Sequence, residues 1–405
     1  MGHDPPMRFD VRPLRVEDLP EFLACFQRAI PFPSGPDLVD RLRALLDFEG
    51  SFVAVEGDRI VGTLGAYPFD VSTPGGGELS MAGTTVVGVL PTHRRQGVLR
   101  AMMVEHMGWA RARGFDAVGL WASEVGIYGR FGFGPLTRRG GWTVDTRAVQ
   151  LAPAEDEPTL RYVEVSEASD RIQACYAAHR RARAGALTRS PAWWARRRFL
   201  EDPARHAPFG AIQLVEATRD GRTVGYAQYR RRSRWDEGRA RDVLSLEELV
   251  GDPATRRALW RLLLDIDLVT EIGAYNLPPD DELHWLFGQN RGARVHVEDA
   301  LWLAPLKLDR LFSSRRYPLD GRIALEVAGQ GRYALEISGG EGHLDPVTRD
   351  AELHLPFQTL PALAWGATPA STLAAAGALS GSTDAIARAD ALLASAPRPW
   401  CPERF

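Results

Sequence analysis

The chain has 405 residues, more than one hydrophobic core normally organises, so two or three domains are expected. Its 45% hydrophobic and 25% charged residues describe a soluble globular protein, and a formal net charge of −3 excludes one that grips nucleic acid through bulk positive charge. Cys25, Cys175 and Cys401 lie far apart without CxxC or metal-ligand spacing, residues 1–10 carry no apolar signal region, and no apolar run approaches the ~20 residues that span a bilayer, so a cytoplasmic protein without a disulfide framework, metal site or membrane partner is expected.

In chain order, residues 9–30 predict a short strand, a turn and an amphipathic helix bearing Leu14, Leu19, Phe22, Leu23, Phe26 and Ile30. A second amphipathic stretch follows at 38–46. Residues 52–55 and 60–64, joined by Glu56-Gly57-Asp58, predict a hairpin. Residues 84–90 predict a strand, 91–97 a loop, and 98–113 a helix with Leu99, Met102, Met103, His106 and Ala110 on one side and Gly114 at its stop. Residues 117–122 predict a short buried strand. The Pro/Glu/Asp-rich stretch 152–158 breaks the pattern and marks a first boundary.

The next segment repeats this grammar. Leu214-Val215-Glu216-Ala217, Asp220-Gly221-Arg222 and Val224-Gly225-Tyr226 form a second strand–turn–strand signal. Residues 249–257 then echo 86–95 and lead into another amphipathic helix, without a counterpart to Gly97. An internal duplication is inferred. From about residue 294 the texture changes: 322–327 and 332–337 alternate as a hairpin around Gly329-Gln330-Gly331, 351–355 predicts a strand, and 362–379 and 383–394 predict helices. The expected domains are therefore 1–152, 153–293 and 294–405, the last of α+β type.

The chemistry concentrates in residues 86–133. His93-Arg94-Arg95-Gln96-Gly97-Val98-Leu99-Arg100 is a basic loop that ends in glycine and opens a helix. Free amides at a helix start, the helix dipole and nearby guanidiniums make an anion site, and Gly97 lets the backbone approach a pyrophosphate. By itself the run also fits a solvated basic turn. Downstream lies Ser123-Glu124-Val125-Gly126-Ile127-Tyr128-Gly129-Arg130-Phe131-Gly132-Phe133. If strand 117–122 splays from strand 84–90, a cleft opens between them with Tyr128 beside it. A tyrosine of ordinary pKa near 10 can act as an acid toward a leaving thiolate. Tyr128 alone also reads as a packed, locally bonded ring.

Taken together these residues resemble the GNAT N-acetyltransferases, whose cofactor loop reads Arg/Gln-x-x-Gly-x-Gly/Ala; here Leu99 stands in the last, normally small position. The runs 89–102 and 122–134 resemble the Eis (enhanced intracellular survival) family in particular. That resemblance covers the whole chain. It implies an active N-terminal GNAT domain, a central degenerate GNAT-like domain, and a C-terminal sterol-carrier-protein-like domain, an α/β (α+β) architecture assembled as a homohexamer. It also implies acetyl-CoA as co-substrate and a primary amine as acceptor, with aminoglycosides as the family's best-marked class. Carried onto this chain, Val87, Gly88, Val89, Arg95, Gln96, Gly97, Val98, Leu99, Arg100, Ser123 and Glu124 would hold the cofactor. Tyr128 would be the general acid, and the terminal carboxylate of Phe405 the general base. No metal is implied. The penultimate Arg404 would bring positive charge to the site, against a polycation. Another acceptor amine, such as a polyamine, a lysine side chain or a metabolite, would leave fold and cofactor unchanged, and a catalytically silent binding protein is the reading from another class.

Other clusters have plainer readings. Trp193-Trp194 before Arg196-Arg197-Arg198 predicts a helix with tryptophans inward and arginines toward water rather than a nucleic-acid site. Arg230-Arg231-Arg232 is expected to meet acidic neighbours at a strand end. His93 is expected to be solvated.

Overall fold

A computed structural model describes residues 9–31, 35, 37–152, 155–202, 206–287 and 291–405, with His284 described by its backbone only. The expected boundary after residue 152 falls on residues outside this set, as do residues 1–8. Among the described residues no helix is long and apolar enough to cross a membrane.

The hairpin expected near residue 57 is present, and its strands run longer than the apolar runs suggested. The first sheet contains β1 (Asp10–Pro13), β2 (Phe52–Glu56), β3 (Arg59–Ser72), β4 (Glu78–Val89) and β5 (Ala117–Trp121). Strands β3 and β4 pair from Gly62–Val89 to Ser72–Glu78, with one register shift between Thr63 and Gly65. Gly65, Pro68 and Gly83 depress local strand propensity, but the ladder overrides it. The glycine at 83 is required by contact: a Cβ there would lie 2.9 Å from Phe405 and 2.8 Å from Phe69.

Helix α1 (Leu19–Ala29) buries Leu19, Phe22 and Cys25; α2 (Leu38–Leu45) buries Leu38 and Leu42. Helix α3 (Val98–Ala112) buries Val98, Met102, Met103, His106 and Ala110, and α4 is the single turn Val125–Tyr128. The i, i+4 spacing of these positions places them on one stripe.

Strands β4 and β5 run parallel but pair only at Met81–Ala117, Ala82–Val118 and Gly83–Gly119. Past that point they diverge, and the gap positions the site. Leu301–Pro305 pairs antiparallel along β5, and the short strand Gly134–Pro135 pairs on its other side to complete a seven-stranded sheet. A second seven-stranded sheet has the order 293–299, 138–145, 269–277, 242–251, 222–232, 213–219, 159–162, again with one parallel pair, 242–246 against 269–274. The repeat inferred from sequence is thus a repeat of sheet topology. Strand Arg138–Asp145, earlier in the chain than residue 152, belongs to this second sheet.

The third region is a five-stranded sheet with the expected hairpin, Gly321–Val327 against Gly331–Ser338. The helix expected over 362–379 is instead two, Leu360–Ala364 and Ala370–Ala375. Gly366 at φ +62° and Pro369 stop continuation between them. The first and third regions share one continuous apolar core, whereas the central sheet packs two further clusters of its own.

Candidate active site

The loop after β4 is shaped by backbone rather than by side-chain caps. Arg95 adopts φ +64° and Gly97 φ +88°, two left-handed residues in three positions. A Cβ at Gly97 would meet nothing within 4 Å, so glycine there serves the torsion, not space. No side chain caps α3. The first amide of the helix to find a backbone acceptor is Ala101, on Gly97 O at 3.0 Å. The amides of 98–100 therefore offer donors to an anion. Arg94 steadies the loop through Ala29 O at 3.2 Å, and Gln96 Nε2 donates to Thr92 O at 3.0 Å. His93 Nε2 sits 3.2 Å from Glu56 Oε2 on the cavity wall.

On the other side, β4 bulges. Val86 has φ +48°, a strained conformation for a β-branched residue, and Thr63 Oγ1 donates to Val86 O at 2.8 Å. The bulge turns the following backbone toward the gap between β4 and β5.

These parts enclose a cavity of about 600 Å³ lined by Val87, Gly88, Val89, Arg95, Gly97, Val98, Leu99, Arg100, Ser123 and Glu124, together with Tyr128. Of the cofactor residues expected from sequence, Gln96 alone is outside this lining, because its amide turns back to Thr92.

Tyr128 ends α4 and is 5% exposed, with its ring edge-on to Phe133 at 6.0 Å. Burial raises its pKa, the charge of Glu124 adds to this, and a hydrogen bond with Ser123 works against it. The phenol is thereby held protonated across the physiological range. Gly132, at φ +88°, turns the chain where a Cβ would lie 2.7 Å from the Phe357 ring.

Tyr128, Val87, Ser123 and Ile30 also line a second cavity of about 770 Å³. Its far wall includes Phe405, Arg404, Tyr67, Tyr275, Arg139, Arg197, Glu298 and Asp299. The terminal segment is anchored into this wall. Trp400 N donates to Ala184 O at 2.8 Å, Trp400 Nε1 to Asn276 Oδ1 at 2.8 Å, and Asn276 Nδ2 to Cys401 O at 2.9 Å. The Phe405 ring packs on Phe69 with centroids 5.0 Å apart.

The tryptophan–arginine cluster requires a correction. Trp193 and Trp194 are buried as expected, but of the arginines Arg196 alone faces water. Arg197 donates to Arg404 O and Arg198 Nη2 lies 3.2 Å from Glu248. The cause is a π-helical turn, Trp194–Arg198, whose extra residue rotates the two guanidiniums inward. Arg230 and Arg231 meet Glu201, Glu247 and Asp242, as the sequence suggested. Arg139, Tyr275 and the Glu298–Asp299 pair carried no signal toward this site, since the fold gathers them and Arg197 from separate segments.

Residues 10–136 match the family model described as an acetyltransferase (GNAT) domain, residues 185–306 match a second model of that description, and residues 308–402 match a sterol carrier protein domain. An uncharacterized N-acetyltransferase from Streptomyces avermitilis is 34% identical over 98% of this chain and 100% of its own. N-acetyltransferase Eis from Mycobacterium tuberculosis is 32% identical over 89% of this chain and 90% of its own. The chain belongs to the Eis-like family of GNAT N-acetyltransferases. The crystal structure of Eis1 from Mycobacterium abscessus superposes with a TM-score of 0.84 at 26% identity, covering 98% of this chain and 100% of that one.

As an Eis-like N-acetyltransferase the protein is an enzyme, and its GNAT domains imply acetyl-CoA as co-substrate. The β4–α3 loop fits such a ligand: open amides at a helix start, two left-handed residues and several guanidiniums suit a pyrophosphate. The corresponding helix of the second Eis-like GNAT region, Pro253–Leu264, does not offer this. Asp252 Oδ1 already accepts from Thr255 N at 2.7 Å, so a carboxylate occupies the helix start and repels phosphate.

Proposed function

We propose that the enzyme transfers an acetyl group from acetyl-CoA to a primary amine of a small molecule by direct attack. The observation that carries this reading is that the two cavities meet at Tyr128. The basic-loop cavity suits the cofactor, and the cavity beneath Phe405 suits the acceptor. Bound there, acetyl-CoA supplies an activated acyl group and a thiolate leaving group.

The chain's own residues then have the following work. The amides at 98–100 and the guanidiniums of Arg95 and Arg100 hold the pyrophosphate. The backbone of 87–89 lines the pantetheine arm, with Ser123 and Glu124 opposite. The terminal carboxylate of Phe405, general base, takes through water the proton that the amine nitrogen sheds as it bonds to the acyl carbon, a nitrogen more acidic than the free ammonium and so within reach of a carboxylate of ordinary pKa near 3.5. The Tyr128 phenol, kept protonated by burial, delivers a proton to the departing sulfur. The family resemblance implies aminoglycosides as acceptors; the charges of this cavity argue for another class.

The test is CoA-thiol release from acetyl-CoA against a panel of primary amines, with the acetylated product identified by mass spectrometry. Amine-dependent release that collapses in Tyr128→Phe supports the reading. Release that is unchanged in that variant removes Tyr128 from the mechanism.

A further inference from the structure

The acceptor cavity is lined by four guanidiniums, Arg41, Arg139, Arg197 and Arg404, against the side-chain carboxylates Glu298 and Asp299. Their pairing is uneven. Arg41 lies 3.6 Å from Asp202. Arg139 is engaged by Glu298, by Tyr275 O at 2.7 Å and by the Tyr275 ring at 3.8 Å. Among the described residues, no ion pair within 4.0 Å joins Arg197 or Arg404 to a carboxylate. Arg197 has the Arg404 carbonyl and the Trp193 ring, 4.9 Å away. Arg404 Nη1 donates to Tyr275 OH at 2.8 Å, and its side chain is otherwise exposed. On the acidic side, Glu298 is already shared between Arg139 and His296, and Asp299 Oδ2 accepts from Trp302 Nε1 at 2.6 Å.

We propose that the acceptor is an amine that also bears an acidic group, a carboxylate or a phosphate, and that Arg404 and Arg197 recognise that group. This rests on the acetyl-transfer reading above. A guanidinium without a carboxylate partner in a partly enclosed wall gains a charge-assisted, planar contact from such an anion. Desolvation lowers the pKa of Arg197, an unfavourable state that an anion would relieve. The base and the anchor are consecutive residues: Phe405 presents its carboxylate to the ammonium end of the acceptor, and Arg404 presents its guanidinium to the acid end. A polycation would instead bring several ammoniums against two guanidiniums that have no carboxylate within ion-pair distance, and find Asp299 and the chain terminus in return. Like-charge contact of this kind selects against a ligand as strongly as a good pair selects for one. The aromatic and aliphatic part of the wall, Phe26, Leu23, Tyr67 and Leu120, suits an apolar body between the two charges.

The experiment compares four amines on one frame: para-(aminomethyl)benzoate, the corresponding phosphonate, the carboxamide, and para-xylylenediamine, with kanamycin alongside. Binding to the full chain is measured by titration calorimetry in the presence of CoA, so that affinity is read whether or not turnover follows. The benzoate or the phosphonate is expected to bind roughly tenfold tighter than the carboxamide, one charge-assisted contact's worth, with the diamine weakest. The tighter of the two acids identifies the group. In Arg404→Glu the order of benzoate and diamine is expected to invert. Diamine or kanamycin binding tighter than either acid in the unaltered enzyme, or an order unmoved by Arg404→Glu, overturns the proposal. Acids that bind in the expected order without being acetylated would overturn the transfer reading and leave the charge assignment standing.

Discussion

Arg189 and Glu403 form an ion pair closed to solvent, with side chains 0% and 2% exposed. The same guanidinium bonds Glu248 of the central sheet, Nη1 to Oε2 at 3.0 Å, and lies over the rings of Tyr176 and Trp194 at 3.5 and 4.5 Å. Trp193 Nε1 donates to Glu403 Oε2 at 3.2 Å and Tyr226 OH to Glu248 Oε2 at 2.6 Å. One arginine of the central region therefore clamps the segment that carries Phe405.

Replacing Arg189 with methionine should be severe. It leaves Glu248 and Glu403 buried with one fewer counter-charge, and breaking a buried pair in this way costs about 3–5 kcal/mol. The expected outcome is a fall of several degrees in the thermal midpoint together with a loss of acetyl transfer. Glu403→Gln keeps the shape and should separate the two effects: a smaller thermal shift, a lowered kcat, and unchanged acetyl-CoA binding. Equal kcat in Glu403→Gln and the parent would show that the clamp is structural only.

Acid should destabilise the fold in two stages. His106 donates from Nδ1 to Gly50 O and accepts from Thr84 Oγ1 at Nε2, both at 2.9 Å, and burial lowers its pKa from 6.5 to about 4. Between those values the unfolded chain binds a proton that the folded chain refuses, so stability falls as pH drops from 6.5 toward 4, by at most about 1.4 kcal/mol per pH unit for this one group. Glu248, held by Arg189 and Arg198 against the cost of its burial, has its pKa lowered from 4.5 to about 2. Its contribution is complete above 4.5 and is lost as pH falls through the interval to 2. Urea midpoints measured down the pH scale should begin to decline near 6.5, and His106→Gln should flatten that first limb alone. An identical slope in the variant would exclude His106 as its source.

How far the sequence foretold this arrangement depended on whether the information was local. The cofactor-loop residues are consecutive, and a glycine, several arginines and a helix start within eight positions already state the geometry. The central region's echo was readable because Asp252-Pro253 still opens a helix after a strand, even with the glycine gone. The acceptor cavity was not readable. Arg41, Tyr67, Arg139, Arg197, Tyr275, Glu298 and Arg404 come from separate segments, and no spacing joins them. Arg197 points inward, against the outward direction that a regular 3.6-residue turn implies, because Trp194–Arg198 is wound more widely.

Gly97→Ala should act on cofactor affinity, not on stability. A methyl group there touches nothing, so the cost is torsional: φ +88° is left-handed space that an alanine holds at an expense of about 1–2 kcal/mol. The loop is exposed, and it can relax to another conformation without disturbing the core. Acetyl-CoA should then bind roughly tenfold more weakly by calorimetry, the same free energy read as affinity, with the thermal midpoint nearly unmoved. Unchanged affinity would mean that the left-handed turn is incidental to binding.

The role of the terminus can be separated from that of its ring. Phe405 contributes both a carboxylate and an aromatic contact with Phe69, so deleting it removes two things at once. Adding a single glycine after Phe405 keeps the ring and moves the carboxylate outward by up to about 3.5 Å, the span of one residue. Converting the terminus to a carboxamide by semisynthesis keeps its position and removes only the charge and basicity. If the carboxylate is the base, both changes should lower kcat by on the order of a hundredfold, the lower range for general base catalysis, while acetyl-CoA affinity and the thermal midpoint stay near those of the parent. The carboxamide should also lose the acidic limb of the kcat profile, since no titrating group would remain at that position. A carboxamide enzyme with the parent's kcat would leave Phe405 as a packing residue and require the amine to reach the thioester already neutral.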